Sequence, residues 1–176
     1  MMNKVFEVIE ACKLFNFDKK KYKVMIHPQS YVHSIIRFTN GLIKMILYNA
    51  DMKIPIANTL YKKDSYLLNQ PQINTKILNK LNFEKVNIKK FPSIKLIKKS
   101  MVLGYSTPII INASNEVLVS FFLKKKISFL DIVKTINKIL KDKDFNKYAK
   151  SKPKSVKDIK IIDNCARLKT TNMCVI

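Results

Sequence analysis

The side chains best suited to chemistry stand near the start of the sequence, at Asn3, Lys4 and Glu7. Successive residues of an α-helix turn by about 100°, so these three share one helix face. The opposite face carries apolar side chains at the spacing of a buried stripe: Val5, Val8, Ile9 and Cys12. An amide beside an ammonium group suits a phosphate, and a carboxylate one turn away suits a hard divalent cation. On pattern alone, an ordinary solvated helix face remains the favoured interpretation.

The elements predicted around these residues form a small antiparallel sheet with the first helix on one face. The helix is predicted from about Met2 to Phe15, and a short strand from Tyr22 to Ile26. Two further strands, over 32–38 and 42–48, flank Asn40-Gly41, which is a strong signal for a hairpin turn. A short helix from Pro55 to Tyr61 is predicted next.

The last part of the chain is predicted to be helical, with a tail that frays after about Thr170. Four helix starts are predicted: Pro92, Thr107 as the N-cap before Pro108, Ser128 in a capping box with Asp131, and Ser155 in a capping box with Asp158. Residues 62–87 have weak periodicity and are predicted to be a linker, with a short strand near 81–83. We therefore expect an α+β protein, with a small α/β part over 1–61 and a helical bundle over 88–176.

The composition is strongly basic, with 34 Lys and Arg against 12 Asp and Glu and a formal charge of +22. Such an excess is typical of proteins that bind nucleic acids or anionic membranes. The lysines are spread along the whole chain, however, and only Arg37 and Arg167 supply the guanidinium groups that nucleic-acid readers favour. No apolar run reaches the ~20 residues of a membrane span. We therefore expect mainly solvated charge, with no specific nucleic acid and no membrane as partner.

Five short motifs occur in order along the chain: Met1-Met2-Asn3-Lys4-x-x-Glu7, His27-Pro28-Gln29-Ser30-x-x-His33-Ser34, Asp51-Met52-x-x-Pro55-Ile56, Phe91-Pro92, and Asn112-Ala113-Ser114-Asn115-Glu116. As an ordered set they resemble 1-deoxy-D-xylulose-5-phosphate reductoisomerase. The resemblance covers essentially the whole chain but only the C-terminal half or so of that enzyme. It implies a partial catalytic domain over 1–61 and the C-terminal helical domain over 88–176.

The resemblance implies an activity for the complete enzyme. Such enzymes use NADPH and Mg²⁺ or Mn²⁺ to convert 1-deoxy-D-xylulose 5-phosphate to 2-C-methyl-D-erythritol 4-phosphate in non-mevalonate isoprenoid biosynthesis. The residue matching Glu7 is one of three carboxylate ligands of the metal. Asn3, Lys4 and Glu7 are expected to contact the sugar phosphate, with Asn3 and Lys4 chiefly at its phosphate end.

Other motif residues are given supporting roles by the resemblance. His33 is implied near the active site, where we expect it to orient Glu7. Asp51 and Met52 are expected close to the nicotinamide. His27 is expected to be structural, as is the motif that ends at Glu116.

The chain by itself is predicted to be inactive. With two glycines it has no Gly-rich loop for NADPH, and two of the three metal carboxylates are expected upstream of Met1. The family usually has glycine at the position of Val5 and proline at the position of Ala50. We therefore expect the packing along the first helix, and the packing beside the nicotinamide, to differ from that of the family. We expect the missing N-terminal half as a partner, a homodimer when complete, and a cytoplasmic or plastid-type stromal location. The alternative is a basic, non-catalytic module that binds RNA or other anions.

Overall fold

A computed structural model describes residues 1–16, 21–61 and 74–174, and the fold is α+β. The elements in these ranges are α1 (Met2–Phe15), β1 (Met25–Ile26), β2 (Val32–Arg37), β3 (Ile43–Leu47), α2 (Lys53–Leu60), α3 (Thr75–Leu78), β4 (Glu84–Lys85), a 3₁₀ turn (Pro92–Ile94), α4 (Lys95–Val102), α5 (Thr107–Leu123), α6 (Phe129–Ile139), α7 (Lys143–Lys150) and α8 (Val156–Cys174). The chain divides into two compact units, one of Met1–Lys23 with Asn87–Ile176 and one of Val24–Val86.

The core of the first unit is built around α5, which packs against α4, α6, α7 and α8. Ile110, Ile111 and Leu118 of α5 are fully buried, as is Ile136 of α6. Val5 of α1 belongs to the same core and is also fully buried. The helix that carries the candidate chemistry is therefore fixed by the C-terminal helices, which lie far from it in the sequence.

The predicted starts of α6 and α8 are confirmed in atomic detail. The backbone N–H of Ser128 donates to Asp131 Oδ2 at 3.0 Å, which closes the capping box of α6. At α8, Ser155 N–H donates to Asp158 Oδ2 at 3.1 Å, and Asp158 N–H donates to Ser155 Oγ at 3.2 Å. Each pair satisfies helix-terminal amides that would otherwise lack a partner.

The start of α5 and the end of α8 differ from the prediction. Thr107 is the first residue of α5 and Ser106 is its N-cap, with the Ser106 hydroxyl donating to Ser151 O at 2.8 Å. Within the described residues the predicted fraying after Thr170 is wrong, because α8 continues to Cys174 and Thr170 is fully buried. The Thr170 hydroxyl lies 3.0 Å from the hydroxyl oxygen of Ser114 on α5, and this contact between helices holds the turn against the core.

Two further differences concern short elements. Helix α7 was not predicted from the sequence, and it begins where the Asp142 carboxylate accepts from Asp144 N–H at 3.0 Å. The predicted strand over 22–26 is reduced to Met25–Ile26, because its partner is the two-residue strand Glu84–Lys85. That partner strand lies just after the predicted range of 81–83.

The second unit contains the predicted hairpin. β2 and β3 pair antiparallel, with Arg37 opposite Ile43 and an irregularity in register between Val32 and Ser34. At the turn, Phe38 N–H donates to Leu42 O at 2.8 Å, and Gly41 has a φ of 88°. A positive φ is the conformation that glycine supplies without steric cost, so Asn40-Gly41 forms the turn that the sequence predicts.

Side chains of the His27-Pro28-Gln29 motif contact residues 80–83, which belong to the same unit but lie far away in the sequence. His27 Nδ1 lies 2.8 Å from Asn82 O, and its ring stacks on Phe83 with centroids 5.0 Å apart. Gln29 Nε2 donates to Lys80 O at 2.8 Å. These contacts support the structural role expected for His27.

The division into domains at 61 and 88 stays a prediction, and the first part of its linker, residues 62–73, lies outside the described ranges. The compact units divide the chain at 23 and 86 instead. They group α1 with the C-terminal helices, because its apolar stripe is buried in their core. On sequence alone, α1 is grouped with the hairpin because the two are adjacent in the chain. The periodicity of α1 shows that one face is buried, but it does not show which part of the protein covers that face.

Gly104→Ala is expected to lower the free energy of unfolding of the first unit by more than about 3 kcal/mol. Gly104 has a φ of 127°, and an added Cβ would overlap the carbonyl oxygen of Ala149. Gly41→Ala is the matched control, because Gly41 has a φ of 88° with open space around it and should cost about 1–2 kcal/mol. Urea-dependent hydrogen exchange, resolved by peptide, measures each unit separately; equal costs for the two variants would contradict the prediction.

Candidate functional site

The candidate site lies on the exposed face of α1. Burial of Val5, Val8 and Ile9 fixes the rotation of this helix about its axis. Asn3 and Glu7 are exposed as a result, and Lys4 is half-buried. The three polar side chains therefore share one face, as the helical spacing predicts.

Lys4 and Glu7 form an ion pair across one turn of α1, with the ammonium group against Glu7 Oε2. The two side chains keep 44% and 56% of their surface exposed. An ion pair at this exposure contributes about 0–1 kcal/mol, so an incoming phosphate or metal ion can replace either partner at little cost. The face thus offers a cation for an anionic group and a carboxylate for a cation.

The described residues do not form a complete metal site. They contain no group of three or more His, Cys, Asp or Glu side chains placed to hold one ion. Mg²⁺ needs close to six oxygen ligands and usually one or two carboxylates together with substrate oxygens and water. Glu7 therefore fits the role of one contributed ligand, and the remaining ligands would have to come from elsewhere.

His33 lies in the second unit, on β2, at the point where the register with β3 is irregular. Its ring stacks on Tyr48 with centroids 3.7 Å apart and an interplanar angle of 12°. Nε2 lies 3.1 Å from the carbonyl oxygen of Tyr48. The ring is thus fixed in orientation by a single neighbouring residue, and Glu7 belongs to the other unit.

Asp51 and Met52 stand at the start of α2 in the second unit. The Asp51 carboxylate accepts from the N–H of Lys53 at 2.9 Å, which satisfies an amide of the first helical turn. This contact explains why α2 begins at Lys53, two residues before the predicted start at Pro55. The Met52 side chain is 69% exposed and so presents a flexible apolar group at the surface.

The motif ending at Glu116 belongs to a network that joins α5 and α8. Asn112 Nδ2 donates to Glu116 Oε1 at 3.0 Å, and Arg167 Nη2 donates to Glu116 Oε2 at 2.5 Å. Asp163 Oδ2 accepts from Arg167 Nε at 2.6 Å. Asp163 and Glu116 together raise the pKa of Arg167 above its usual value. These contacts support a structural role for the motif, and Arg167 is the member that the motif alone did not reveal.

Comparison with known proteins identifies the family. Residues 47–169 match the family model described as the DXP reductoisomerase C-terminal domain. The chain belongs to the DXP reductoisomerase family. The resemblance seen in the five motifs is thereby confirmed, and it now rests on most of the chain rather than on short segments.

Individual relatives match over nearly the whole chain. The 1-deoxy-D-xylulose 5-phosphate reductoisomerase of Pelagibacter ubique is 39% identical over 99% of this chain and 45% of its own length. That of Zymomonas mobilis is 36% identical over 96% of this chain and 42% of its own length. The chain therefore spans less than half the length of these relatives.

Solved structures show the same fold. The Zymomonas mobilis reductoisomerase in complex with NADPH superposes with a TM-score of 0.86 at 35% identity, over 99% of this chain and 45% of that one. A reductoisomerase in complex with NADPH, fosmidomycin and magnesium superposes with a TM-score of 0.86 at 31% identity, over 99% of this chain and 44% of that one. Within the described ranges, no helix of this chain is both long and apolar enough to cross a membrane.

Glu7→Gln is expected to change the free energy of unfolding by less than about 0.5 kcal/mol, because its ion pair with Lys4 is exposed. Arg167→Gln is the contrasting variant, and it should cost about 1 kcal/mol or more, because it breaks two ion pairs at once, with Glu116 of α5 and with the less exposed Asp163. Urea titration followed by circular dichroism measures both. A large loss for Glu7→Gln would mean that this carboxylate is needed for folding.

Proposed function

We propose that this chain forms part of an NADPH- and divalent-metal-dependent enzyme that converts 1-deoxy-D-xylulose 5-phosphate to 2-C-methyl-D-erythritol 4-phosphate. The observation that carries the proposal is the match over 99% of the chain, in sequence and in fold, to reductoisomerases in complex with NADPH, and with NADPH, fosmidomycin and magnesium. The exposed polar face of α1 supports it, since amide, ammonium and carboxylate groups suit a phosphorylated substrate and a metal ion.

In this proposal, Lys4 and Asn3 hold the phosphate end of the substrate. An ammonium group attracts the phosphate dianion, and the Asn3 amide donates a hydrogen bond to a phosphate oxygen. Glu7 contributes one carboxylate to a metal site that other carboxylates of the enzyme complete. The metal, when bound, would polarise the carbonyl and hydroxyl oxygens of the substrate. Holding the phosphate fixes the orientation of the substrate carbon chain, which lowers the entropy cost of reaction.

Residues of the second unit take supporting roles in the same proposal. His33, whose ring is held by Tyr48, is proposed to support the orientation of Glu7 in the complete enzyme. Asp51 and Met52 lie beside the nicotinamide, where the exposed Met52 side chain supplies an apolar contact.

The partners proposed for this chain are the remaining part of the enzyme and a second copy of the complete enzyme. The β2–β3 hairpin supports the existence of such partners, because an apolar surface of this kind is usually buried in an interface. Its exposed large apolar side chains are Ile35, Ile36, Phe38, Leu42, Ile43, Met45 and Ile46. The NADPH domain is assigned to the remaining part, since two glycines cannot supply a Gly-rich phosphate loop. A cytoplasmic or plastid-type stromal location belongs to the same proposal.

The chain on its own is expected neither to bind NADPH nor to turn over the sugar phosphate, because its two glycines cannot form a Gly-rich loop and its described residues contain no group of three side chains that could hold a metal ion. The measurement is NADPH oxidation, followed by absorbance, with purified chain, substrate and Mg²⁺ or Mn²⁺. Addition of the N-terminal part of a related reductoisomerase, fused or in trans, is the positive control. Substrate-dependent oxidation by the chain alone would contradict the expectation.

In such a completed enzyme, Glu7→Gln is expected to remove most of the turnover and to weaken the apparent metal affinity, because it deletes a charged ligand while keeping the shape of the side chain. Lys4→Ala and Asn3→Ala should instead raise KM and leave kcat nearly unchanged. A phosphate anchor is engaged equally in the ground state and the transition state, so its loss affects binding. Steady-state kinetics at several Mg²⁺ or Mn²⁺ concentrations separates the two signatures.

Glu10→Gln is the matched control for Glu7→Gln, because Glu10 is an exposed glutamate of the same helix. It should leave kcat, KM and metal dependence unchanged. Unaltered turnover and metal dependence in Glu7→Gln would overturn the assignment of α1 as the catalytic helix. Equal losses of turnover in Glu7→Gln and Glu10→Gln would show that the total charge of α1 matters, rather than a metal ligand at Glu7.

The second candidate function is a basic module that binds RNA or other polyanions, and the net charge of +22 favours it. Against it, the chain has only two arginines, and one of them, Arg167, is engaged by Asp163 and Glu116. We expect weak, non-specific binding that falls steeply with salt. A sub-micromolar, sequence-selective RNA complex at physiological salt would favour this function over the first.

A further inference from the structure

The imidazole ring of His33 is held by one residue, Tyr48, through two separate contacts. The two rings stack with centroids 3.7 Å apart and an interplanar angle of 12°. His33 Nε2 also lies 3.1 Å from the main-chain carbonyl oxygen of Tyr48. The stack fixes the plane of the imidazole ring, and the polar contact fixes its rotation within that plane. Tyr48 therefore determines where both ring nitrogens of His33 lie.

The backbone places His33 at a bulge in the β2–β3 hairpin. Val32 pairs with Leu47, and Ser34 pairs with Ile46. Two steps along β2 thus match one step along β3, which leaves His33 as the extra residue. A β-bulge changes the direction of a side chain, and bulges are frequent beside active sites. The irregular register therefore breaks the regular alternation of β2 at the histidine.

Tyr48 can hold this ring because its own backbone is anchored. Its N–H donates to the carbonyl oxygen of Tyr31 at 3.2 Å, which continues the pairing of the hairpin beyond Leu47. Tyr31 is buried and Tyr48 is half-buried, whereas His33 is exposed. An exposed side chain keeps one orientation only if contacts offset its loss of conformational entropy. The fixed end of the hairpin supplies these contacts to His33.

The contact with the Tyr48 carbonyl group determines which nitrogen of His33 carries a proton. A carbonyl oxygen only accepts hydrogen bonds, so Nε2 must donate. In the neutral ring the other nitrogen, Nδ1, is then an acceptor. Among the described residues Nδ1 has no hydrogen-bond partner, so it remains available to a group that donates.

We propose that Tyr48 is a positioning residue of the active site, which presents Nδ1 of His33 as a hydrogen-bond acceptor to an O–H donor. This inference rests on the proposed function, which gives His33 a role at the site. A substrate hydroxyl group or a water molecule is such a donor, whereas a phosphate dianion or an ionised carboxylate is not. Glu7 carries a carboxylate, so the support that His33 gives it passes through a shared O–H donor rather than a direct hydrogen bond.

The first test is nuclear magnetic resonance of the full chain with isotopically labelled histidine, at mildly alkaline pH and without any turnover. The chain has two histidines, and His33→Gln assigns their signals. His33 is expected to be protonated at Nε2 and unprotonated at Nδ1. His27 is the internal control, because its Nδ1 lies 2.8 Å from the carbonyl oxygen of Asn82 and should carry the proton instead. Protonation of His33 at Nδ1, alone or together with Nε2, would overturn the proposal.

Substitutions of Tyr48 separate the effect of its ring from that of its carbonyl group. Tyr48→Phe keeps the stack and should keep the tautomer of His33. Tyr48→Ala removes the ring, and the His33 signals should become an average over both neutral tautomers because the imidazole group can rotate. Tyr48→Leu replaces Tyr48→Ala if the latter unfolds the hairpin. A single unchanged tautomer after loss of the ring would overturn the proposal.

Kinetics of the completed enzyme test whether this position matters for the reaction. Tyr48→Ala should lower kcat/KM about tenfold, and Tyr48→Phe should restore it to within about twofold of the unaltered enzyme. Tyr148→Ala is the matched control, because it removes a tyrosine ring on α7, outside the hairpin, and should change kcat/KM by less than about twofold. Equal losses in Tyr48→Ala and Tyr148→Ala would overturn the proposal.

A double variant shows whether Tyr48 acts through His33. Tyr48→Ala combined with His33→Gln should be no less active than His33→Gln alone, because the positioned ring is already absent. Additive losses, or full activity of His33→Gln, would overturn the proposal and leave the role of Glu7 in the proposed function intact. A completed enzyme without any turnover would instead contradict the proposed function, and the tautomer of His33 would still decide the present inference.

The two possible donors are separated by adding the sugar phosphate to the completed enzyme without NADPH, so that no reduction occurs. A shift of the His33 Nδ1 resonance, with this nitrogen still unprotonated, identifies a substrate hydroxyl group as the donor. An unchanged resonance identifies water. Protonation of Nδ1 on addition of the sugar phosphate would show that its partner is an acceptor, such as the phosphate group, and would overturn the proposal.

Discussion

The burial of α5 is the constraint on which the first unit depends. Ile110, Ile111, Ala113 and Leu118 are fully buried on this helix, and within the described residues five other helices, α1, α4, α6, α7 and α8, pack against it. Removing this much apolar surface from water is the largest favourable term available to the unit. Polar contacts then fix details that burial leaves open, such as the link between Glu116 of α5 and the Arg167 guanidinium of α8.

The same burial determines which groups are available for chemistry. Val5, a neighbour of Lys4, is fully buried, so α1 cannot rotate without exposing it. The exposed face of α1 is therefore rigidly presented, although the contacts between its own polar side chains are weak. Binding of a phosphate or a metal ion to α1 requires that the ion pair of Lys4 and Glu7 be broken. A fixed backbone keeps both side chains in position, and the weakness of the ion pair keeps the cost of breaking it low.

Lysine-rich composition has different consequences in different parts of the chain. Lys169 is paired with Asp142, and Asp142 in turn raises the pKa of Lys169. The lysines of α4 have no such carboxylate among the described residues, and burial and mutual repulsion lower the pKa of Lys99. Among the described residues, a uniform excess of lysine thus becomes, after folding, a mixture of lysines paired with carboxylates and lysines without such a partner.

The sequence by itself determined several local elements and the family. The bounds of α1, the Asn40-Gly41 hairpin and the capping boxes at Ser128 and Ser155 all follow from residues close together in the chain, and so do the motifs of the family. Only the tertiary structure decided which distant segments meet. It assigned α1 to the C-terminal helices and ordered α8 past Thr170 by burying that residue. These outcomes depend on surfaces that are complementary only after folding, and periodicity records that a face is buried without recording what buries it.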